Sequence, residues 1–323
     1  MGDESCVRCG VCTENCLFLK KYEMDIGELL KHPEYAYHCF LCGRCTQSCP
    51  IGIDGRGLVL NMRQEQVRTN GGRLLQPGYR MLLWEKKNYR FANYRRADSR
   101  CVIFPGCNFP SFYPKTTRLL SGLLKERAGI GTVFDCCGKP LAELGLTQQE
   151  SVSALEKRLS ERGVEQLVML CPNCYHFLKP KLKISVVSIY EKLAELGLGK
   201  RISESLCFFL PCPDRENREI LGHIRGFLID EPMVWNQLQC CGLGGCVGGR
   251  EPELSRQMGR SAAELREESF GELMTYCASC TGQFVRNGCL NTGHILLKIL
   301  DIREIPQIKR SVFNRMKMKY WSG

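Results

Sequence analysis

The sequence has no apolar stretch that approaches the roughly 18–20 residues needed to span a bilayer, so we expect no transmembrane segment. It opens Met-Gly-Asp-Glu-Ser-Cys without an apolar signal region, and we therefore expect a cytoplasmic protein. No flavin or nucleotide signature is present: Gly242 follows a cysteine pair, and Gly248 and Gly249 lack the strand–turn–helix context of a dinucleotide site. The chain thus has no recognisable site of its own for a hydride-carrying cofactor.

Acidic residues are fewer than basic ones, 34 against 45, and the formal net charge is +11. Such a balance often indicates a nucleic-acid partner. The figure counts every cysteine as neutral, however, whereas metal-bound cysteines are thiolates that would offset much of the excess. We therefore expect no nucleic-acid partner. The basic and aromatic residues of segment 61–100 are interpreted as a linker packed on both neighbouring domains, with a solvated basic face.

Cysteine is abundant, with 22 among 323 residues. Disulfide frameworks are typical of small secreted domains, which this chain does not resemble in length or in its opening residues. The cysteines are also grouped at two-residue gaps. We therefore expect thiol ligands of metal sites in a reducing compartment.

Two runs of cysteines near the start have the C-x2-C-x2-C-x3-C spacing of a ferredoxin cluster site. In two-cluster ferredoxins the fourth cysteine of each run binds the other cluster. The predicted ligand sets are Cys6, Cys9, Cys12 and Cys49 for one 4Fe-4S cubane, and Cys39, Cys42, Cys45 and Cys16 for the other. A pair of zinc sites is the alternative, but zinc needs only the C-x2-C pairs and leaves the other members unexplained. Residues 24–30 predict a short helix between the runs.

The rest of the chain contains a repeat of about 105 residues. Each copy has five cysteines, two of them adjacent and followed by glycine. The sets are Cys107, Cys136, Cys137, Cys171 and Cys174 in the first copy, and Cys212, Cys240, Cys241, Cys277 and Cys280 in the second. Short apolar strands alternate with amphipathic helical stretches, which predicts a parallel α/β sheet in each copy, with the cysteines just after the strands. Five thiols exceed the four that a cubane or a structural zinc takes.

These motifs resemble the cysteine-rich Cys-Cys-Gly (CCG) domain family, and their order resembles the D subunit of heterodisulfide reductase. Iron–sulfur subunits of glycolate, lactate and anaerobic glycerol phosphate dehydrogenases have a similar layout. The resemblance implies a helical two-cluster ferredoxin domain followed by two Rossmann-like α/β CCG domains. It also implies two 4Fe-4S cubanes, and one or two noncubane 4Fe-4S clusters held by the ten cysteines of the repeat.

The expected function is that of an iron–sulfur oxidoreductase, active within an anaerobic multi-protein complex. It would pass electrons between a flavoprotein or other redox partner and the CCG clusters, with peripheral membrane association only through partners. The alternative is an enzyme that cleaves a small disulfide or thiol-containing substrate at a noncubane cluster. A zinc-binding interaction module is a third hypothesis.

The expected domain bounds are 1–60 for the ferredoxin domain, 61–100 for the linker, 101–200 and 201–304 for the CCG domains, and 305–323 for a basic tail. The tail is interpreted either as solvated and frayed or as a dock for an acidic partner. Four cysteines remain outside the ligand sets: Cys101, Cys207, Cys246 and Cys289. Cys101 and Cys207 are expected to be buried apolar thiols. Cys246 and His176 are secondary candidates for contact with a cluster. A structural role is the simpler interpretation of His176.

Overall fold

The computed structural model describes residues 6–267 and 272–322, so predictions that fall on residues 1–5, 268–271 and 323 lie outside the described residues. The N-terminal region is helical, as expected. Its helices are α1 (Val11–Glu14), α2 (Leu17–Lys21), α3 (Ile26–Leu29) and α4 (Arg44–Ser48), with a 3-10 turn at Pro33–His38. Gly10 and Gly43 adopt positive φ directly before α1 and α4, which turns the chain between the second and third cysteine of each run. Asp25 caps α3 by accepting from Glu28 N, at the predicted helix.

The segment after residue 60 is folded onto its neighbours. Helix α5 (Gly55–Thr69) runs across the expected boundary, α6 (Arg80–Lys86) follows, and strand β1 (Asn93–Arg96) pairs antiparallel with a strand of the first α/β unit. The expected linker therefore contributes secondary structure to both sides. No helix within the described residues is long and apolar enough to cross a membrane.

The first α/β unit follows the predicted alternation of strands and helices. Its strands are β2 (Cys101–Phe104), β3 (Gly131–Phe134), β4 (Gln166–Met169) and β5 (Ser185–Ser188), and its helices are α7 (Phe109–Phe112), α8 (Pro114–Ala128), α9 (Lys139–Glu143), α10 (Gln148–Ser160), α11 (Pro172–Leu178) and α12 (Ile189–Glu195). The sheet order is β1-β3-β2-β4-β5, parallel except at β1. Val152, Leu155 and Leu159 are buried on one face of α10, as their spacing predicts.

The second unit repeats this arrangement. Its strands are β6 (Cys207–Phe208), β7 (Met233–Val234), β8 (Leu273–Thr275) and β9 (Thr292–His294), and its helices are α13 (Glu219–Arg225), α14 (Pro252–Glu267), α15 (Ala278–Arg286) and α16 (Ile295–Ile299), with 3-10 turns at Cys212–Asp214 and Gly244–Gly249. The sheet order β7-β6-β8-β9 is parallel throughout. The predicted fold, a helical region followed by two parallel α/β repeats, is therefore confirmed.

The C-terminal segment is a helix, α17 (Ser311–Tyr320), preceded by a 3-10 turn at Ile308–Arg310. It packs on α7 and β1 of the first unit. Asn93 Nδ2 donates to the carbonyls of Met318 and Trp321, and the Trp321 ring lies 4.8 Å from the Arg96 guanidinium. The expectation of a frayed, solvated tail is wrong, because these contacts bind the segment to its own chain.

A fully buried arginine, Arg63 on α5, connects three parts of the chain. Its Nε donates to Ala36 O at 3.0 Å, and Nη2 donates to Cys39 O at 2.6 Å, both in the N-terminal region. Its Nη1 donates to Glu143 O of the first unit at 2.7 Å and to Gly245 O of the second unit at 2.8 Å. One guanidinium thus bonds to the N-terminal region and to both α/β units at one point.

A buried carboxylate, Glu251 of the second unit, makes a separate connection to the N-terminal region. Its side chain, 2% exposed, accepts from Lys21 Nζ and Tyr22 Oη, and lies 2.6 Å from His38 Nδ1. Burial opposes the charge of Glu251, but these hydrogen bonds outweigh it and lower the pKa of the carboxyl group. The N-terminal region and the second unit also share one hydrophobic core.

Replacing Arg63 by Met should lower the free energy of unfolding by about 3 kcal/mol or more, because several buried carbonyl oxygens lose their donor. Arg68→Met on the same helix is the matched control: Arg68 is exposed and pairs with Glu65, so its loss should cost no more than about 0.5 kcal/mol. Denaturant midpoints of the anaerobically purified proteins test this. Equal midpoints for the two variants would contradict the connecting role of Arg63.

Candidate iron–sulfur centres

The first predicted set of thiols lies around one small cavity. Cys6, Cys9, Cys12 and Cys49 all line it, together with Ile26 of α3. The Ile26 backbone N–H donates to Cys12 Sγ at 3.4 Å. Cys49 comes from the second cysteine run, so the structure brings a member of that run to the other three, as the crossed assignment expects. Cys9 is exposed, which leaves this set nearest to solvent.

The second predicted set is also brought together. Burial and then the charges of Cys42 and Cys39 raise the pKa of Cys16 to about 12, and burial raises the pKa of Cys39 to about 11. Burial followed by the charges of the other three members raises the pKa of Cys45 as well. The fourth member differs, because a hydrogen bond with Cys240 lowers the pKa of Cys42 to about 6. Metal binding would replace the protons of all four thiols by a positive centre.

The five thiols of the first α/β unit form a continuous series at the carboxyl ends of β2, β3 and β4. Neighbouring members interact side chain to side chain. The order is Cys107, Cys136, Cys137, Cys174, Cys171. The second unit repeats it with neighbouring interactions in the order Cys212, Cys240, Cys241, Cys280, Cys277. In both units the thiols follow strands that meet at one edge of a parallel sheet.

The separate sets are linked to one another. The thiol of Cys171 in the first unit interacts with that of Cys277 in the second. The thiol of Cys42 in the N-terminal region interacts with that of Cys240. The sulfur atoms therefore run without a break from the second N-terminal set through the second unit to the first.

Gln239, directly before the cysteine pair of the second unit, bridges this junction. Its Nε2 lies 3.4 Å from Cys16 Sγ and 3.8 Å from Cys42 Sγ, and its Oε1 accepts from Leu17 N at 2.8 Å. Sequence reasoning missed this residue. Its place beside Cys240 was the available signal, but nothing local indicates that its side chain reaches thiols roughly 200 residues earlier in the chain.

Three glycines leave room for the sulfur atoms. A Cβ on Gly27, Gly55 or Gly106 would lie 2.9 Å from the sulfur of Cys6, Cys45 or Cys174, respectively. Real Cβ atoms do not approach sulfur so closely, so any larger residue would displace a thiol. These glycines therefore form part of the thiol-lined sites.

Buried cations accompany the thiols. Lys86, from α6, faces Cys107 and Cys136. Burial disfavours its positive charge, but the charges of these thiolates, with those of Tyr89 and Glu85, outweigh burial and raise the pKa of Lys86. Arg315 of α17 donates to Ser111 Oγ at 3.2 Å and also acts on Cys107. The segments expected to be linker and tail thus bring positive charge to the first unit's thiols.

The donor sets fit iron–sulfur clusters by composition, with four thiols in each N-terminal set and five in each α/β unit. Within the described residues, no three His, Cys, Asp or Glu side chains are arranged to hold a single metal ion between them. The fit therefore rests on sets of thiols, buried cations that offset their charge, and glycines that make room for them.

The four remaining cysteines lie apart from these sets. Cys101 donates to Gln166 Oε1, Cys246 to Pro140 O and Cys289 to Ala262 O, and burial raises the pKa of Cys207. Within the described part of the chain, Cys246 contacts the Pro140 carbonyl, and no hydrogen bond joins it to the predicted ligand thiols.

His176 binds across the two units rather than pointing at a thiol. Its Nε2 lies 2.7 Å from Oδ1 of Asp214 in the second unit. Asp214 is fully buried and also accepts from Tyr276 Oη. This geometry supports the structural interpretation of His176.

The chain has a helical cysteine-rich region followed by two α/β units with thiols at the strand ends. This arrangement defines a class of proteins in which a cysteine-rich α/β domain is repeated. The Cysteine-rich domain family (CCG) matches residues 101–179 and 206–285. The chain therefore carries two copies of this cysteine-rich domain.

Relatives at low identity match most of the chain. The B subunit of fumarate reductase (CoM/CoB) from Methanothermobacter marburgensis is 25% identical over 301 residues, 84% of this chain and 61% of the relative. An uncharacterized iron–sulfur protein of Methanocaldococcus jannaschii is 24% identical over 80% of this chain and 59% of its own. The D subunit of dihydromethanophenazine:CoB–CoM heterodisulfide reductase from Methanosarcina barkeri is 24% identical over 80% of this chain and 74% of its own. The chain therefore spans about three fifths of the length of the first two.

Replacing Gly55 by Ala should displace Cys45 and lower the iron content by up to about four atoms per chain, the content of one cubane. Gly122→Ala is the control, because Gly122 is also helical and a Cβ there meets nothing within 4 Å. Iron and acid-labile sulfide per chain are measured after anaerobic reconstitution. Full iron in the Gly55 variant would show that the glycine is not needed to seat a cluster.

Proposed function

We propose that this chain is the iron–sulfur electron-transfer component of a larger anaerobic reductase complex, passing electrons between a flavoprotein partner and clusters at its CCG cysteines. Two cubanes are assigned to the N-terminal sets, one on Cys6, Cys9, Cys12 and Cys49 and the other on Cys16, Cys39, Cys42 and Cys45. One or two noncubane four-iron clusters are assigned to the five-thiol sets. When bound, these clusters accept and release single electrons.

The observation that carries the proposal is the unbroken series of thiols. It begins in the second N-terminal set and enters the second unit between Cys42 and Cys240. It then crosses to the first unit between Cys277 and Cys171. An order of transfer follows: N-terminal region, second unit, first unit.

The protein's own residues hold this series in a water-poor environment. Twelve of the 22 cysteines are buried, including Cys240, Cys241 and Cys280. Burial excludes solvent from the sites, and Lys86 and Arg215 place positive charge beside them. Such cations offset the negative charge of thiolate-bound clusters and influence how readily they accept an electron.

The partner assignment rests on what the sequence lacks and on the names of its relatives. No nucleotide-binding motif is recognisable in the chain, so hydride chemistry is assigned to another protein. Two relatives are named as subunits of reductases, which supports a place for this chain in a multi-subunit complex.

Replacing Cys137 or Cys241 by Ser should each remove about four irons per chain, because each is a central member of its series. Cys101→Ser is the matched control, since Cys101 bonds to Gln166 and lies apart from the thiol sets. Iron, sulfide and the EPR spectrum of the dithionite-reduced protein are the readouts. Unchanged iron in both cluster variants would overturn the assignment of the second half of the chain.

A second candidate function is reductive cleavage of a small disulfide at one of the five-thiol sites. It is favoured by the completeness of both five-cysteine sets, because a pure electron conduit could tolerate missing ligands in one of them. The reaction would take two electrons from the clusters and two protons from solvent, break one S–S bond and release two thiols. The electrons would be supplied by the redox partner.

Reduced, iron-loaded protein should then release two thiols per disulfide consumed from a panel of low-molecular-weight disulfides, counted with a thiol reagent. Cys277→Ser, which breaks the contact between the sets, should lower the rate at least about tenfold, as expected when a cluster ligand is lost. A wild-type protein that is fully iron-loaded yet inert towards the whole panel would refute disulfide cleavage and leave electron transfer standing.

A further inference from the structure

Arg215 is held in place by its stem but not by its charged end. It follows Cys212 by three residues, and its Nε donates to Leu210 O at 3.1 Å. Its guanidinium lies 5.2 Å from the Phe209 ring. Both terminal nitrogens, Nη1 and Nη2, are buried and have no hydrogen-bond partner within the described residues. Leaving such donors unpaired in the interior is costly, so a group that accepts from them is expected there.

The surroundings of Arg215 indicate what that group is. Burial disfavours its positive charge, yet nearby thiolates outweigh burial and raise its pKa; they belong to Cys212, Cys42, Cys240 and Cys280. Three of the four belong to the second unit's set. Arg215 also shares a cavity of about 50 Å³ with Arg44 and Arg218. Arg44 is partly buried, whereas Arg218 is exposed.

The first unit has no equivalent arginine. Cys107 and Cys212 occupy corresponding positions, which aligns Arg215 with Pro110. The cations near the first set, Lys86 and Arg315, come from outside the repeat, and both have ion-pair partners at Glu85. The two five-thiol sites therefore differ in their electrostatic environment although their cysteines are the same.

We infer that Arg215 is a positioning residue that donates from its two terminal nitrogens to the sulfur atoms of the cluster at the second unit's thiols and raises that cluster's reduction potential. This inference rests on the proposed function. A one-electron reduction adds a negative charge to the cluster, and a fixed guanidinium beside it stabilises the reduced form more than the oxidised form. Electrons that reach the second unit through the junction at Gln239 and Cys42 would then reside preferentially on the second unit's cluster.

The test is an EPR-monitored redox titration of the full-length, iron-loaded chain and its variants. Arg215→Gln, which removes the charge, should shift one CCG signal to lower potential. We expect at least about a tenfold change in its oxidised-to-reduced ratio at a fixed potential, or about 59 mV for one electron. The signal of the first unit should not move. Arg218→Gln removes the same charge from an exposed neighbour lining the same cavity, and screening should leave all potentials unchanged.

The outcomes separate this inference from the proposed function. Wild-type protein with no iron beyond two cubanes would refute the CCG cluster assignment itself. Full iron in Arg215→Gln with unshifted potentials would refute only the role of Arg215. If Arg215→Gln loses iron, the Arg215→Lys variant decides, because lysine keeps the positive charge but lacks the two terminal nitrogens of a guanidinium. Restored iron with a smaller negative shift in potential would support the inference. Restored iron with no shift would overturn it.

Discussion

A single guanidinium, that of Arg63, lies where the N-terminal region meets both α/β units, and it bonds to backbone carbonyls of all three. It is fully buried and donates to carbonyl oxygens rather than to a carboxylate. A buried charge is tolerable only when its donors are hydrogen-bonded, and the four hydrogen bonds of Arg63 meet that requirement. The Tyr37 ring, 4.9 Å from the guanidinium, adds a cation–π contact. Because two of the acceptors, Glu143 and Gly245, lie just beyond the cysteine pairs of the two units, the same residue aligns both units with the N-terminal region.

Close backbone contact makes this meeting point tight. A Cβ on Gly145 would lie 2.5 Å from Arg63 O, and one on Gly245 would lie 2.6 Å from Cys39 O. Glycine is therefore required where the loops after the cysteine pairs touch the N-terminal region. The contact brings Cys39 and its set against the second unit, and the junction between Cys42 and Cys240 is a direct consequence.

The two units are related by a repeat but are not equivalent in their surroundings. The second receives the N-terminal region, through Gln239, Glu251 and a shared core. The first receives β1 and the C-terminal helix, and Lys86 and Arg315 lie towards its thiols. A chain with two copies of one domain thus acquires one site beside the N-terminal thiols and another at the far end of the series.

Cysteine spacing predicts two N-terminal thiol sets with Cys16 and Cys49 exchanged between the runs, and the repeat predicts two parallel α/β units. These features follow from local spacing and periodicity, which a sequence displays directly. Three further features come from tertiary packing. Cys171 meets Cys277, Arg215 faces thiols of the N-terminal region and of the second unit, and the basic tail folds onto its own chain. Among these long-range contacts, Arg63 and Gly245 lie 182 positions apart, and Asn93 and Met318 lie 225 positions apart. They arise from domains packing on one another, and no short-range pattern of residues encodes that packing.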